Sequence, residues 1–176
     1  MSPERQGESH ISFEEIVSNA KEVMLRNGKH IPTLIAEGGK NIVVGQIPDL
    51  PPTHGERLEL MRFLGQATAR SGRVDQLHQV FMVSEGWMSV ASEDKPPTIR
   101  ASQDPDRKEV LIISAIQVKE HKKQMMLLEI LRDGDKQVVG LEEFLPDEKK
   151  KDESVEVPLL EAFVHGFRLA FRTRYN

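Results

Sequence analysis

The chain has 176 residues, of which 38% are hydrophobic and 30% charged, and a formal net charge of −4 with no dense basic block. That length suits one domain with a core of useful size, and the charge balance argues against a partner bound through phosphate neutralisation. With no cysteine, disulfides, zinc–thiolate sites, iron–sulfur ligation and a cysteine nucleophile are excluded. The polar start, Met1 to His10, has no apolar signal core, and no apolar run approaches the roughly 18 residues of a membrane span. The expectation is a soluble, cytoplasmic protein.

Residues 1–11 read as a frayed arm. Ser12 and Glu15 stand at the spacing of a capping box, and Phe13, Ile16, Val17, Ala20 and Met24 recur at helical spacing up to Asn27-Gly28. This predicts a helix over 13–26. Two apolar runs, 33–36 and 41–45, flank Gly38-Gly39 and predict a β-hairpin. A phosphate-cradling loop needs a helix N-terminus after the glycines, and none follows. Pro48, Pro51 and Pro52 make a stiff connector. A second capping box, Thr53 to Glu56, opens a helix to about Arg70, with Leu60, Met61, Leu64, Ala67 and Thr68 on its inner face.

Leu77 to Ser84 reads as a central strand apolar on both sides. Glu85-Gly86 interrupts it, suggesting a bulge or bend, before Trp87 to Val90 resumes. Residues 91–106 read as loop. The stretch 107–140 is a meander of three β runs. Its first run, 107–119, is so long that a bend near Ser114-Ala115 is expected, and Asp133-Gly134 predicts a type I′ turn before a short run, 137–140. The mixed charges of 146–158 read as a solvated linker. Leu159, Leu160, Phe163, Val164, Phe167, Ala170 and Phe171 then form the apolar face of a terminal helix, 159–176. That face needs cover from its own sheet, the favoured reading, or from a second copy. The whole is α+β: an antiparallel sheet of five to six strands with helices packed on it, in the order α-β-β-α-β-β-β-(β)-α, with residues 12–145 as the domain proper. Profilin-like and roadblock-like folds resemble this order, which by itself implies no function.

The six histidines show no metal-pair spacing, and the reading names no metal or cofactor. Ser84-Glu85-Gly86 lacks the first glycine and the following helix of a nucleophile elbow. Asp106, Glu120 and Lys122 match in letters and order the PD-(D/E)xK nucleases, where carboxylates hold a divalent cation and a lysine positions water. Placed at opposite ends of one strand, however, the two carboxylates stand up to about 46 Å apart, against about 4–5 Å for shared ligands. Trp87 lines a pocket or interface, or covers the end of the core, the latter being favoured. A binding surface, if present, is expected among Glu85, Trp87, Arg100, Asp104, Asp106 and Arg107, where a charged, proline-rich loop meets the sheet end.

The pattern Ser84-Glu85-Gly86-Trp87, then Ser102-Gln103-Asp104-Pro105-Asp106-Arg107-Lys108-Glu109, resembles one in small prokaryotic proteins that carry Ser-Glu-Ala-Trp and an Asp-Pro-Asp-Arg-Lys-Glu-like strand entry. Gly86 replaces their alanine, and the resemblance brings no activity with it. The reading that follows is a non-enzymatic domain acting through contacts with a protein partner or with itself, as a homodimer through the terminal helix. A metal-dependent nuclease using Asp106, Glu120 and Lys122, and a small-ligand module near Trp87, are the alternatives.

Overall fold

A computed structural model of the protein describes residues 10–89, 100–144 and 155–174. Most of the expected arm (1–11), the first part of the expected loop (91–106) and most of the expected linker (146–158) lie outside these residues. Among the described residues six strands form one antiparallel sheet, and three α-helices pack on it. In chain order these are α1 (Phe13–Asn27), β1 (Thr33–Glu37), β2 (Ile42–Gln46), α2 (His54–Ser71), β3 (Gln79–Met88), β4 (Lys108–Gln117), β5 (Lys122–Arg132), β6 (Val138–Glu143) and α3 (Pro158–Arg174). The strand order is β2-β1-β3-β4-β5-β6. Among the described residues no helix is long and apolar enough to cross a membrane.

Both predicted capping boxes form. The Glu15 amide donates to Ser12 Oγ at 3.1 Å while the Ser12 amide donates to Glu15 Oε2 at 2.7 Å. Thr53 and Glu56 repeat the exchange at 3.3 and 3.2 Å. Each pair satisfies two amides that the first helical turn leaves without partners. Gly28 and Gly72 close the two helices at φ 70° and 68°, the left-handed geometry that a side chain disfavours.

Alternation along β3 divides the core in two. Val80 and Met82 face α2 and α3, together with Leu34, Ala36 and Ile116. Phe81 and Val83 face α1, with Leu111, Ile113, Ala115, Leu128 and Ile130. The sheet is therefore covered on both sides, as the doubly apolar run of β3 requires. On α3, Leu160, Phe163, Val164, Phe167 and Ala170 are buried against the chain's own α2 and sheet.

The inner face of α2 differs from expectation: Met61, Gly65 and Ala69 are buried, and Ala67 is exposed. The helix turns its smallest residues inward because α3 crosses it almost backbone to backbone. A Cβ on Gly65 would press on the Phe163 carbonyl and lie 2.8 Å from the Phe167 amide nitrogen; one on Gly166 would lie 2.8 Å from the Arg62 carbonyl carbon.

Three strand details also differ. No bulge marks Gly86, since β3 pairs with β4 without a break from Gln79↔Gln117 to Met88↔Lys108. The glycine instead makes room for Ile112, whose Cδ1 would be 2.8 Å from a Cβ there. Nor does β4 carry a bulge at Ser114-Ala115, because β3 and β5 pair it in unbroken register through both residues. The irregularity lies at Leu131/Arg132, between β5 and β6. Finally, the β5–β6 connection is longer than a type I′ turn. Asp133 Oδ1 accepts the Asp135 and Gln137 amides at 3.0 and 2.9 Å, and Lys136 rather than Gly134 takes the positive φ, 63°. An Asx-type turn thus replaces the glycine-driven one.

Candidate functional site

The register of β1 opens a cleft beside the end of β3. β1 begins at Thr33, opposite Val83, whereas β3 runs on to Met88. Among the described residues, β3 is thus paired along 84–88 only with β4. The bond from the Val118 amide to the His78 carbonyl, 2.8 Å, fixes the phase of the β3–β4 ladder. Bonded pairs recur every second residue. Ser84 and Gly86 therefore turn their backbone groups to β4, and Glu85 and Trp87 turn theirs away from it. The space there is a cleft of about 620 Å³ lined by Glu85, Gly86, Trp87 and Glu109 from the sheet, Pro52 to His54 and Arg57 at the start of α2, and Arg100 to Ser102.

Trp87 is 47% exposed, which corrects the favoured expectation that it caps the core. Its ring is held by the Arg107 guanidinium, 4.5 Å from the centroid, a cation–π contact. Asp104 builds the turn that delivers Arg107. Its carboxylate accepts from the Ser89 hydroxyl and, at 2.9 Å, from the Asp106 amide, and its carbonyl accepts the Arg107 amide at 3.2 Å. The Ser89 bond, then the Asp106 amide and the Arg107 charge, hold the Asp104 carboxyl below its ordinary value of 3.8. A depressed carboxyl contributes to the folded turn fully above that ordinary value and loses its contribution as pH falls through the lower, folded one. The acid step that Asp104 contributes to the fluorescence of Trp87, the single tryptophan, is therefore expected to have its midpoint below 3.8. Asp104→Asn should abolish that acid step. A midpoint at or above 3.8 contradicts this account.

Glu85 and Glu109 are not free anions. Glu85 accepts the His30 amide, and Glu109 takes a two-pronged bond from Arg132 at 2.6 and 2.7 Å. Glu109 first, and then Glu85, keep the Arg132 guanidinium protonated above its usual range. Arg57 spends Nε on the Pro51 carbonyl at 2.6 Å. What the cleft offers is thus outward strand backbone, an aromatic face, and the arginines Arg57, Arg100 and Arg107 on its rim.

Of the residues singled out in the sequence, Glu85, Trp87 and Arg100 line this cleft, Arg107 covers Trp87, and Asp104 and Asp106 lie in the adjoining turn. Sequence reasoning missed Arg57, Glu109 and Arg132. Only the second capping box, which places the start of α2, hinted at Arg57. Asp106 does not meet Glu120 and Lys122: it precedes β4, while they follow it, so a ten-residue strand of about 30 Å separates them. The geometry of a shared cation site is therefore missing. Ser84 lies inside β3, on no turn, and none of the six histidines is buried. Among the described residues, no group of three or more His, Asp or Glu is placed to hold a metal ion.

Comparison with known proteins adds a family. Over 82 residues, 46% of this chain, the sequence is 37% identical to the dimethyl sulfide dehydrogenase assembly chaperone protein of Rhodovulum sulfidophilum. The match spans 32% of that relative's length, so the relative as a whole is not a template for this chain. No solved structure matches. The family model described as bacteriophage lambda protein ea47 matches residues 1–166, nearly the whole sequence, and the chain belongs to that family.

Proposed function

We propose that this protein is a non-enzymatic binding domain that assists the assembly of a protein partner, taking an extended segment of that partner into the Trp87 cleft. The observation that carries the reading is the run of β3 past the end of β1, which leaves the Glu85 and Trp87 backbone groups facing an open cleft. A strand added there gains main-chain hydrogen bonds for affinity, and side-chain pockets for selection. Exposed tryptophan and arginine are the residue types that dominate binding energy at protein interfaces, and here they are stacked on each other at the cleft mouth. The similarity to a protein named as an assembly chaperone supports the same role.

The test is co-purification of the full chain from host cells, in parallel with Trp87→Ala, followed by identification of the bound proteins. A protein recovered with the wild type and lost with Trp87→Ala should, once purified, change the Trp87 fluorescence on titration. Truncating the anchor is expected to weaken binding by about 2 kcal/mol or more, roughly thirtyfold. Identical recovery with both forms would sink the proposal.

A further inference from the structure

The two edges of the sheet are built differently. β6 carries Glu142 and Glu143 and meets β5 through a register irregularity, both devices that stop an edge from pairing further. β2 has neither. Its residues, Ile42 to Gln46, include no charge and no proline, and pair with β1 without a register break. Ile42 and Val44 are 48% and 61% exposed.

The backbone phase is equally open. Gly38 donates to the Asn41 carbonyl at 2.8 Å, and Ile47 donates to the Pro32 carbonyl at 2.7 Å. Alternation then directs Val43 and Gly45 toward β1, and the N–H and C=O groups of Ile42, Val44 and Gln46 away from the sheet. α1 makes its closest contacts with β4 and β6 and leaves Ile42 and Val44 exposed.

We propose that β2 is the dimerisation edge, pairing antiparallel with β2 of a second copy about a two-fold axis at Val44. Each outward-facing residue then has a partner: Val44 faces Val44, and Ile42 faces Gln46. The exposed β-branched side chains meet their counterparts along the join. Self-pairing also matches charge. Lys40 precedes the strand and Asp49 follows it, so the antiparallel copy brings the Lys40 of one chain alongside the Asp49 of the other. The neutral strand itself sets no like charges face to face. A second copy therefore fits this edge on pattern and on charge, and the contact is closed rather than propagating, since each subunit spends its unguarded edge in it.

The test uses the full chain. Light scattering after size exclusion should show a dimer at micromolar concentration. Val44→Lys, which sets two ammonium groups across the axis, should raise the dimer dissociation constant by at least about tenfold. Because Val44 is exposed, the circular dichroism of that variant should stay that of the wild type, and this separates lost pairing from lost folding. A second measurement exploits the absence of cysteine. In the bonded pair the two Val44 Cα atoms stand about 5.5 Å apart, within disulfide range. Val44→Cys should therefore cross-link on mild oxidation, while Val139→Cys on the β6 edge should not. A monomeric wild type, a Val44→Lys protein that still dimerises as before, or equal cross-linking at both edges overturns the assignment. The first of these results would leave β2 to a strand of some other chain.

Discussion

Replacing Gly166 with alanine is expected to destabilise the protein by about 3 kcal/mol or more, although alanine is the better helix former. Propensity alone predicts a gain of about 1 kcal/mol for glycine to alanine inside a helix, so the sign of the result is diagnostic. The loss arises because the new methyl group meets main chain, not a movable side chain: the Arg62 carbonyl of α2 stands where the Cβ would go. Relief requires α3 to lift from α2, and that loosens Phe163, Met61 and Leu160, each of them at most 1% exposed. Gly65→Ala makes the reciprocal clash with the Phe163 carbonyl and should cost a similar amount. Since the two substitutions spoil one crossing, their combined cost should fall short of the sum. Urea denaturation monitored by circular dichroism measures all three. A neutral or stabilised Gly166→Ala protein would mean that the helices are not in backbone contact.

The same crossing marks where sequence reasoning stops. Ser12 with Glu15 and Thr53 with Glu56 are legible because donor and acceptor lie three residues apart, and their geometry is fixed by the helix itself. The doubly apolar character of β3 is legible for a similar reason, because the period of a strand is written in consecutive residues. Gly65 and Gly166 are separated by a hundred positions, and nothing near either one names its partner. Gly86 was misread as a break because glycine ordinarily marks one; its reason is Ile112 on the neighbouring strand. The Asp133-Gly134 pair drew attention to the wrong residue, since the Asp133 carboxylate organises a longer loop that leaves Lys136 with the positive φ. The cleft shows the limit most clearly. Glu85 and Trp87 stood out as residue types beside a loop, but the opening exists because β1 ends opposite Val83, and strand register is set by the packed sheet as a whole.

Arg132→Met is expected to cost about 2–3 kcal/mol and to disturb the cleft as well as the fold. The guanidinium serves four acceptor atoms. It binds both oxygens of Glu109 at 2.6 and 2.7 Å, and it donates to the Gly28 and Lys136 carbonyls, each at 3.1 Å. One side chain thereby ties the end of α1, strand β4 and the β5–β6 loop together. Without it, Glu109 and Glu85 at the wall of the cleft lose the cation on which both act. The side chains of Arg132 and Glu109 retain 25% and 21% exposure, which lets water offset part of the loss and places the figure below the 3–5 kcal/mol of a fully buried pair. Neutralising the stranded acid should help: Arg132→Met with Glu109→Gln is expected to recover about 1 kcal/mol relative to Arg132→Met alone. Because Glu109 pairs with Trp87 across β3 and β4, the fluorescence of Trp87 should shift in Arg132→Met and move back in the double variant. Chemical denaturation supplies the energies and tryptophan emission supplies the local readout. A loss under about 1 kcal/mol, or a double variant no better than the single one, would show that water rather than Arg132 compensates these acids.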